Sequence, residues 1–501
     1  MSIFACHFAR CLLVAGAAFA LLNPSPGHAA DRPNILFFLV DDMGWQETSV
    51  PFHREVTALN RRYQTPNMER LAAQGMKFTQ AYASAVCSPT RVSGLTGMNA
   101  ARHNVTNWTL RRNVSPDPRR PDLEPPAWNV NGLSPVPGIE RTVVVTPLPK
   151  LLREAGYRTI HVGKAHFGAQ GTPGEEPLNL GFDVNVAGHA AGGPGSYHGQ
   201  HDFSAAWRNG DRIWDVPGLE AYHGQDINLT EALTREAVKH VEATVAEGKP
   251  FYLYMSHYAI HAPWEKDDRF YQKYRDAGLN EFRATYASMV ESMDKSLGDL
   301  MGTLNRLGVA GNTVLVFASD NGSPSQADRN LPLRGHKLTP YEGGVRVPML
   351  VRWPGVVAPG TICRTPVIIE DVFPTLLEIA GVDPTGRTVQ TVDGVSFVPL
   401  LKGELPAAPD RSFVWHFPHT YDQPAYSALR RGNWKLIYHH RDERLELFDL
   451  EADIGEEHDL AAADPAVTRN LATELARLLK DRGALMPRLL REERLVRYPG
   501  E

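Results

Sequence analysis

Pro33-Asn34-Ile35-Leu36-Phe37-Phe38-Leu39-Val40-Asp41-Asp42 is an unbroken apolar run closed by two carboxylates. A strand with one wet face alternates apolar and polar residues. A run without alternation reads as a strand buried on both faces, as in a parallel sheet. Acids at its carboxyl end stand where open α/β sheets carry their ligand sites. The same texture recurs at residues 158–163, 251–255, 313–318 and 349–353. Helical patterns lie between: 65 to a stop at Gly75, 148–154, 230–247 and 284–307. Strands alternating with helices predict a doubly wound α/β domain over residues 31–400. Beyond it the texture changes. Residues 412–416, 428–439 and 445–450 read as antiparallel strands and 464–485 as an amphipathic helix, which predicts a smaller C-terminal α+β domain over 401–501.

The 501 residues exceed what one ordinary core serves, and 43% hydrophobic with 22% charged residues is a globular composition. A net charge of -5 with no basic run argues against a nucleic-acid partner. Residues 1–30 read as a signal peptide: Arg10, an apolar run over 11–22, then Gly27-His28-Ala29-Ala30 for cleavage. That run is too short for a membrane span. The expectation is a periplasmic or secreted protein with no span once the signal is removed. Cys6 and Cys11 fall inside the signal, so the mature chain keeps Cys87 and Cys363. Two distant cysteines do not make a disulfide scaffold, although a bridge between them stays open. Two loops, 111–138 (Pro, Arg, Asn) and 188–201 (Gly, His, Ser), have the length and composition of functional loops.

Asp41-Asp42 closes one strand and Asp320-Asn321 another. Either pair alone reads as turn chemistry. Both together at strand ends give an oxygen-only set suited to a hard cation such as calcium. Lys164 and His166 sit two apart in Gly163-Lys164-Ala165-His166-Phe167-Gly168 and can face one anion. His261 precedes Ala262-Pro263 and is a candidate general acid. Lys337 lies in Leu333-Arg334-Gly335-His336-Lys337, ahead of a glycine-rich Tyr341-Glu342-Gly343-Gly344. No Cys/His set has zinc spacing, and the His257/His261 pair lacks a glutamate motif. The last motif is Cys87-Ser88-Pro89-Thr90-Arg91, followed by Ser93-Gly94-Leu95-Thr96-Gly97. Taken alone, Cys87 is a small buried hydrophobe before a turn proline. In an exported chain poor in cysteine it reads instead as a residue to be chemically altered.

These motifs, in this order through almost the whole mature chain, resemble the type I (formylglycine-dependent) sulfatases of the alkaline phosphatase-like superfamily. Glu446-Leu447-Phe448-Asp449-Leu450 adds a resemblance to the family's C-terminal strand and turn. Thr90 stands where serine is frequent, and Ala165 where tryptophan is often found. The resemblance implies a large doubly wound mixed sheet sandwiched by helices, with 31–400 as the catalytic domain. It implies calcium held by Asp41, Asp42, Asp320, Asn321 and an oxygen of residue 87. Cys87 would be oxidised to Cα-formylglycine by a host maturation enzyme, and its hydrate would attack sulfur. Lys164, Lys337 and Arg91 would neutralise sulfate oxygens. His261 would protonate the leaving alcohol, and His166 would hold the second hydroxyl of residue 87 and help expel sulfate. The expected substrate is a sulfated glycan or sugar, with aryl sulfates as assay substrates. The loops 111–138 and 188–201 and the C-terminal domain are expected to line the leaving-group pocket. Gly188-His189-Ala190-Ala191-Gly192-Gly193-Pro194-Gly195-Ser196-Tyr197 is similar to a segment of exo-acting enzymes that cut galactose or N-acetylgalactosamine 4-sulfate. Two alternatives stand beside this reading: a phosphate or phosphonate ester hydrolase of the same superfamily, and a non-catalytic sulfoglycan-binding protein with Cys87 unmodified.

Overall fold

The computed structural model describes residues 32–406, 408 and 410–501; the leader expected over 1–30 lies outside the described residues. Asn34–Val40 forms β1, buried along its whole length. Ile35, Phe37 and Leu39 enter one core, while Leu36, Phe38 and Val40 enter another on the opposite face. Two buried faces explain why the run carries no polar alternation.

The sheet continues with β2 (Met76–Tyr82), β3 (Arg158–Gly163), β4 (Val184–Val186), β5 (Phe251–Ser256), β6 (Thr313–Ser319), β7 (Arg346–Arg352), β8 (Thr361–Cys363) and β9 (Val367–Ile368). Its order is β8-β2-β7-β6-β1-β5-β3-β4, with β9 also on β2. β1 is parallel to β5 and β6, and β3 to β4 and β5; β7 runs antiparallel to β6 and β2. The sheet is therefore mixed. Helices α1 (Pro66–Gln74), α4 (Leu229–Ala246) and α5 (Glu281–Arg306) cover one face; α2 (Cys87–Thr96), α3 (Leu148–Glu154) and α6 (Val372–Ile379) cover the other. Among the described residues no helix is long and apolar enough to cross a membrane.

A second sheet joins β10 (Ser412–Phe417), β11 (Tyr426–Arg431), β12 (Trp434–His439) and β13 (Arg444–Asp449), each antiparallel to the next. Val414, Leu429, Leu436 and Leu447 face Leu471, Leu475 and Leu479 of α7 (Pro465–Asp481). On the opposite face Phe413, Trp415, Phe417 and Ile437 belong to the same core as Ile35 and Phe37. One of these leucines cut to alanine would cost about 2–5 kcal/mol.

Two local expectations are corrected, and one strand was not expected. The span 428–439 is a hairpin, not one strand: Arg431 pairs with Trp434, so Gly432-Asn433 is the turn, and Gly432 takes φ 58°. β2 went unread because Met-Lys-Phe-Thr-Gln-Ala-Tyr follows the helix stop directly and its burial is broken. Cys87 does not precede a turn. It opens α2, and Pro89 sits in the first turn, where its missing N–H has no helical partner to lose.

Candidate active site

Strand register assembles the site. Val40 is opposite Ser319, and Leu39 is opposite Ser256, which is opposite Gly163. The residues one step beyond each strand therefore emerge together: Asp41-Asp42 from β1, Asp320-Asn321 from β6 and Lys164 from β3. Ligand oxygens of Asp41, Asp42 and Asp320 lie within 4.8 Å of one another, and all three side chains are buried.

Three cations surround these acids. Arg91 of α2 is sealed in the core. Its Nη2 and Nε donate to Asp320 Oδ2 at 2.7 and 3.0 Å, and its Nη1 donates to the Lys164 carbonyl at 3.1 Å. Lys164 Nζ donates to Asp41 Oδ2 at 2.5 Å, and Lys337 Nζ to Asp42 Oδ1 at 2.6 Å. Burial alone would raise the Asp42 carboxyl, but Lys337 and His261 outweigh it and hold it well below the usual range. Asp41 is pushed up, by burial first and by Asp320 next. Two buried acceptors, Asp41 Oδ1 and Asn321 Oδ1, have no hydrogen-bond partner. An acidic cluster that raises one of its own members and leaves two oxygens unpaired has the chemistry of a hard-cation site.

Cys87 is buried at the first position of α2, where backbone N–H groups and the helix dipole favour an anion. Burial pushes its thiol up, against the pull of Lys164 and Lys337, so the unmodified side chain is a poor nucleophile at neutral pH. Neither Cys87 nor Cys363 is bridged.

His166 follows β3 with φ 57° and donates from Nε2 to the Thr109 carbonyl at 2.7 Å, which leaves Nδ1 buried and unpartnered. Burial and then Lys164 hold it well below the usual imidazole range. It is a neutral ring with a free lone pair. His261 donates from Nδ1 to the Ala262 carbonyl at 2.7 Å and presents Nε2 4.0 Å from Asp42 Oδ2. Burial and then Lys337 lower its pKa to about 3. His257 is elsewhere: its Nε2 meets Ser296 Oγ at 2.8 Å beneath the sheet. The loop expected to matter at 188–201 lies against both site histidines. A Cβ on Gly192 would come 2.4 Å from His166 Cε1, and one on Gly193 would come 2.8 Å from His261 Nδ1.

A cavity of about 290 Å³ opens onto Asp42, Cys87, His166, His261 and Lys337. Its outer walls carry Trp108, Trp214, Trp264, Tyr421 and Asp422. The structure thus gathers every residue singled out from the sequence but divides them. Lys337, the two histidines, Cys87 and Asp42 face the cavity. Arg91 and Lys164 do not line it: they brace Asp320 and Asp41 from behind and offset part of the charge of carboxylates buried so deeply. The resemblance gives Arg91 and Lys164 to the sulfate oxygens; here their side chains are hydrogen-bonded to Asp320 and Asp41. The 111–138 loop does not line this cavity either, whereas Tyr421 and Asp422 of the C-terminal region do. The three tryptophans were missed. Trp108 and Trp264 stand on irregular segments and Trp214 ends a three-residue 3-10 turn, so no periodicity marks them.

The family model described as "Sulfatase" matches residues 33–382. This chain belongs to the sulfatase family. A second model, "N-sulphoglucosamine sulphohydrolase, C-terminal", matches residues 336–482 of the sulfatase. A sulfatase of Formosa agariphila is 29% identical over 90% of this chain and 89% of that one. The N-acetylgalactosamine-6-sulfatase of Mus musculus is 32% identical over 80% of this chain and 72% of its own. The crystal structure of Ps i-CgsB in complex with k-i-k-neocarrahexaose superposes with a TM-score of 0.71 at 29% identity, covering 90% of this chain and 93% of that one. The protein is a type I sulfatase of the alkaline phosphatase-like superfamily, with the mixed sheet and C-terminal antiparallel sheet of such structures, and it is an enzyme.

Proposed function

We propose that this sulfatase releases inorganic sulfate from a sulfated sugar, using a formylglycine made from Cys87 and a calcium ion held by Asp41, Asp42, Asp320 and Asn321. The observation that carries the reading is Cys87 at a helix N-terminus, in one cavity with Asp42, His166, His261 and Lys337, beside two buried oxygens, Asp41 Oδ1 and Asn321 Oδ1, that have no hydrogen-bond partner. Calcium would supply concentrated positive charge for sulfate oxygens, and the aldehyde hydrate would supply an oxygen nucleophile whose sulfated form can collapse without a second attack on sulfur. Asp41 Oδ1 and Asn321 Oδ1, which have no hydrogen-bond partner, would be available to hold the ion.

The remaining work belongs to the chain. Lys337 meets the sulfate from the cavity side, and Lys164 and Arg91 fix the carboxylates that position the metal. His166 accepts a proton at Nδ1 from residue 87 because its Nε2 hydrogen is committed to Thr109. His261 gives a proton from Nε2 to the leaving oxygen. At rest burial, and then Lys337, keep the ring neutral with its hydrogen on Nδ1; the negative charge of an arriving sulfate favours uptake of a solvent proton at Nε2, and that proton is the one given to the leaving oxygen. Trp108, Trp214 and Tyr421 offer flat apolar faces and Asp422 an acceptor, a combination suited to a hydroxylated ring.

The relatives named for N-acetylgalactosamine 6-sulfate and crystallised with a neocarrahexaose support galactose-type sugars as the substrate class. The expectation of a 4-sulfate is therefore screened beside the 6-sulfate. The leader pattern supports export, and maturation of Cys87 needs a host enzyme. The test is sulfate release by the matured enzyme from 4- and 6-sulfated galactose and N-acetylgalactosamine, with matched phosphate esters. Faster turnover of the phosphate esters would replace this reading with the phosphohydrolase one. The fold alone does not separate them, since a phosphonate monoester hydrolase of Agrobacterium radiobacter shares it at a TM-score of 0.61 and 18% identity.

A further inference from the structure

The 111–138 loop, excluded from the catalytic cavity, builds a different one. A cleft of about 1230 Å³ separates this loop from the C-terminal segment. Arg119, Arg120 and Arg141 line one wall, and Arg488 and Arg497 the other; all five are exposed. The acids that could pair with them are committed elsewhere. Glu443 holds Arg494, Asp122 holds Arg441, Glu501 holds Lys480, and Asp117 accepts from His419. Arg488 donates only to the Glu493 carbonyl, and Glu124 is the one lining acid without a partner among the described residues. The walls are tied together: Arg488 and Leu489 pair with Glu124 and Leu123 in a small antiparallel sheet, so the cleft is preformed. Leu485, Leu490 and Leu495 expose 39%, 37% and 59% of their surface along its edge, an apolar strip between cations.

Five guanidinium groups with no acidic partner among the described residues, beside exposed leucines, point to a ligand with repeated oxyanions and apolar faces. Guanidinium forks match sulfate geometry. The volume exceeds the roughly 300–1,000 Å³ that serves a small ligand and suits a chain of sugars. The cleft is also one wall from the catalytic cavity. Asp117, on the cleft side, accepts from His419 Nδ1 at 2.8 Å and from Thr420 N at 3.1 Å, and the next two residues, Tyr421 and Asp422, line the catalytic side. We propose that this cleft is a second binding site for the sulfated polysaccharide itself, holding anionic sugars that are not being hydrolysed and raising the local concentration of chain ends at the catalytic cavity. The proposal rests on the reading of the protein as a carbohydrate sulfatase. Arg488 and Arg497 lie beyond residue 482, where the match to the family models ends.

The test uses the full chain carrying Cys87→Ala, so that binding is read without turnover. Dextran sulfate, chondroitin 6-sulfate, unsulfated dextran and a DNA duplex are the probes. The two sulfated chains should bind and unsulfated dextran should not. Arg119→Ala/Arg120→Ala/Arg497→Ala should weaken sulfated-chain binding by about tenfold, since it removes three of the five guanidinium forks that line the cleft. The matching triple lysine variant should recover part of it. In the active enzyme the triple alanine variant should keep its rate on nitrophenyl sulfate while KM for a sulfated polysaccharide rises. Unchanged affinity for both sulfated chains overturns the proposal, as does an equal loss for DNA, which would mark an unselective polyanion patch. An enzyme inactive on every sulfate ester would instead sink the proposed function, so the two failures are distinguishable.

Discussion

Gly192→Ala tests whether the 188–201 loop fixes the catalytic geometry. The added Cβ would sit 2.4 Å from His166 Cε1 and 2.7 Å from its Nδ1, whereas ordinary contact begins near 3.4 Å. The ring must retreat by about 1 Å or the loop must lift. The ring is held by the bond from Nε2 to the Thr109 carbonyl and is sealed from solvent. Either movement shifts the free Nδ1 lone pair relative to residue 87, and a 1 Å misplacement costs about a hundredfold in rate. Gly193→Ala, with its nearest contact at 2.8 Å from His261, should cost less. The assay is kcat on a nitrophenyl sulfate and a sugar sulfate, with melting temperature and bound calcium measured in parallel. Gly302→Ala, where an added Cβ meets nothing within 4 Å, is the control. A Gly192→Ala enzyme with unchanged kcat and stability would refute the argument that close backbone approach positions His166.

Three further outcomes follow from the same geometry. His261→Ala should lose about a hundredfold to ten-thousandfold on a sugar sulfate but far less on nitrophenyl sulfate, which departs unprotonated; equal losses in kcat/KM would remove the acid role. Asp42→Ala should lose both activity and bound calcium, because it deletes a ligand and frees Lys337 to repel the ion; calcium retained at wild-type stoichiometry would contradict the ligand assignment. Glu47 is buried, and its carboxyl is raised from 4.5 to about 8 by that burial despite donors from Gly44 and Tyr286. The folded state thus keeps a proton that the unfolded chain releases, so this stabilisation is complete below 4.5 and lost as pH rises through about 8. Melting temperature should fall less steeply over that range in Glu47→Gln than in the wild type, and parallel profiles would remove Glu47 as the cause.

The sheet was legible because burial on both faces leaves a mark that no exposed element imitates. Residues 35–40 and 314–318 carry nothing but what two cores demand. β2 was not legible: its inward residues are interrupted by Lys77, Thr79 and Gln80, whose partners come from distant segments. The site chemistry was legible for a different reason. Each strand end is short and keeps its own chemistry together in sequence, at 41–42, 164–166 and 320–321, although the strand ends themselves lie far apart in the chain. Depth was not legible. Arg91 and Lys337 look alike as motif cations, yet one is enclosed behind Asp320 and the other opens on the cavity, and only the packing of α2 against the sheet separates them. The cavity-lining tryptophans were silent because Trp108 and Trp264 lie on irregular segments and Trp214 ends a three-residue 3-10 turn, all far apart in the chain.

The central claim is that residue 87, once altered, carries sulfate ester hydrolysis. The most direct measurement is inorganic sulfate released from a 6-sulfated N-acetylgalactosamine by the matured enzyme and by Cys87→Ala, with the mass of the peptide containing residue 87 recorded in each preparation. The account predicts release only where that peptide has lost sulfur and gained an aldehyde oxygen; release by Cys87→Ala, or by wild-type protein whose Cys87 is entirely thiol, would contradict it.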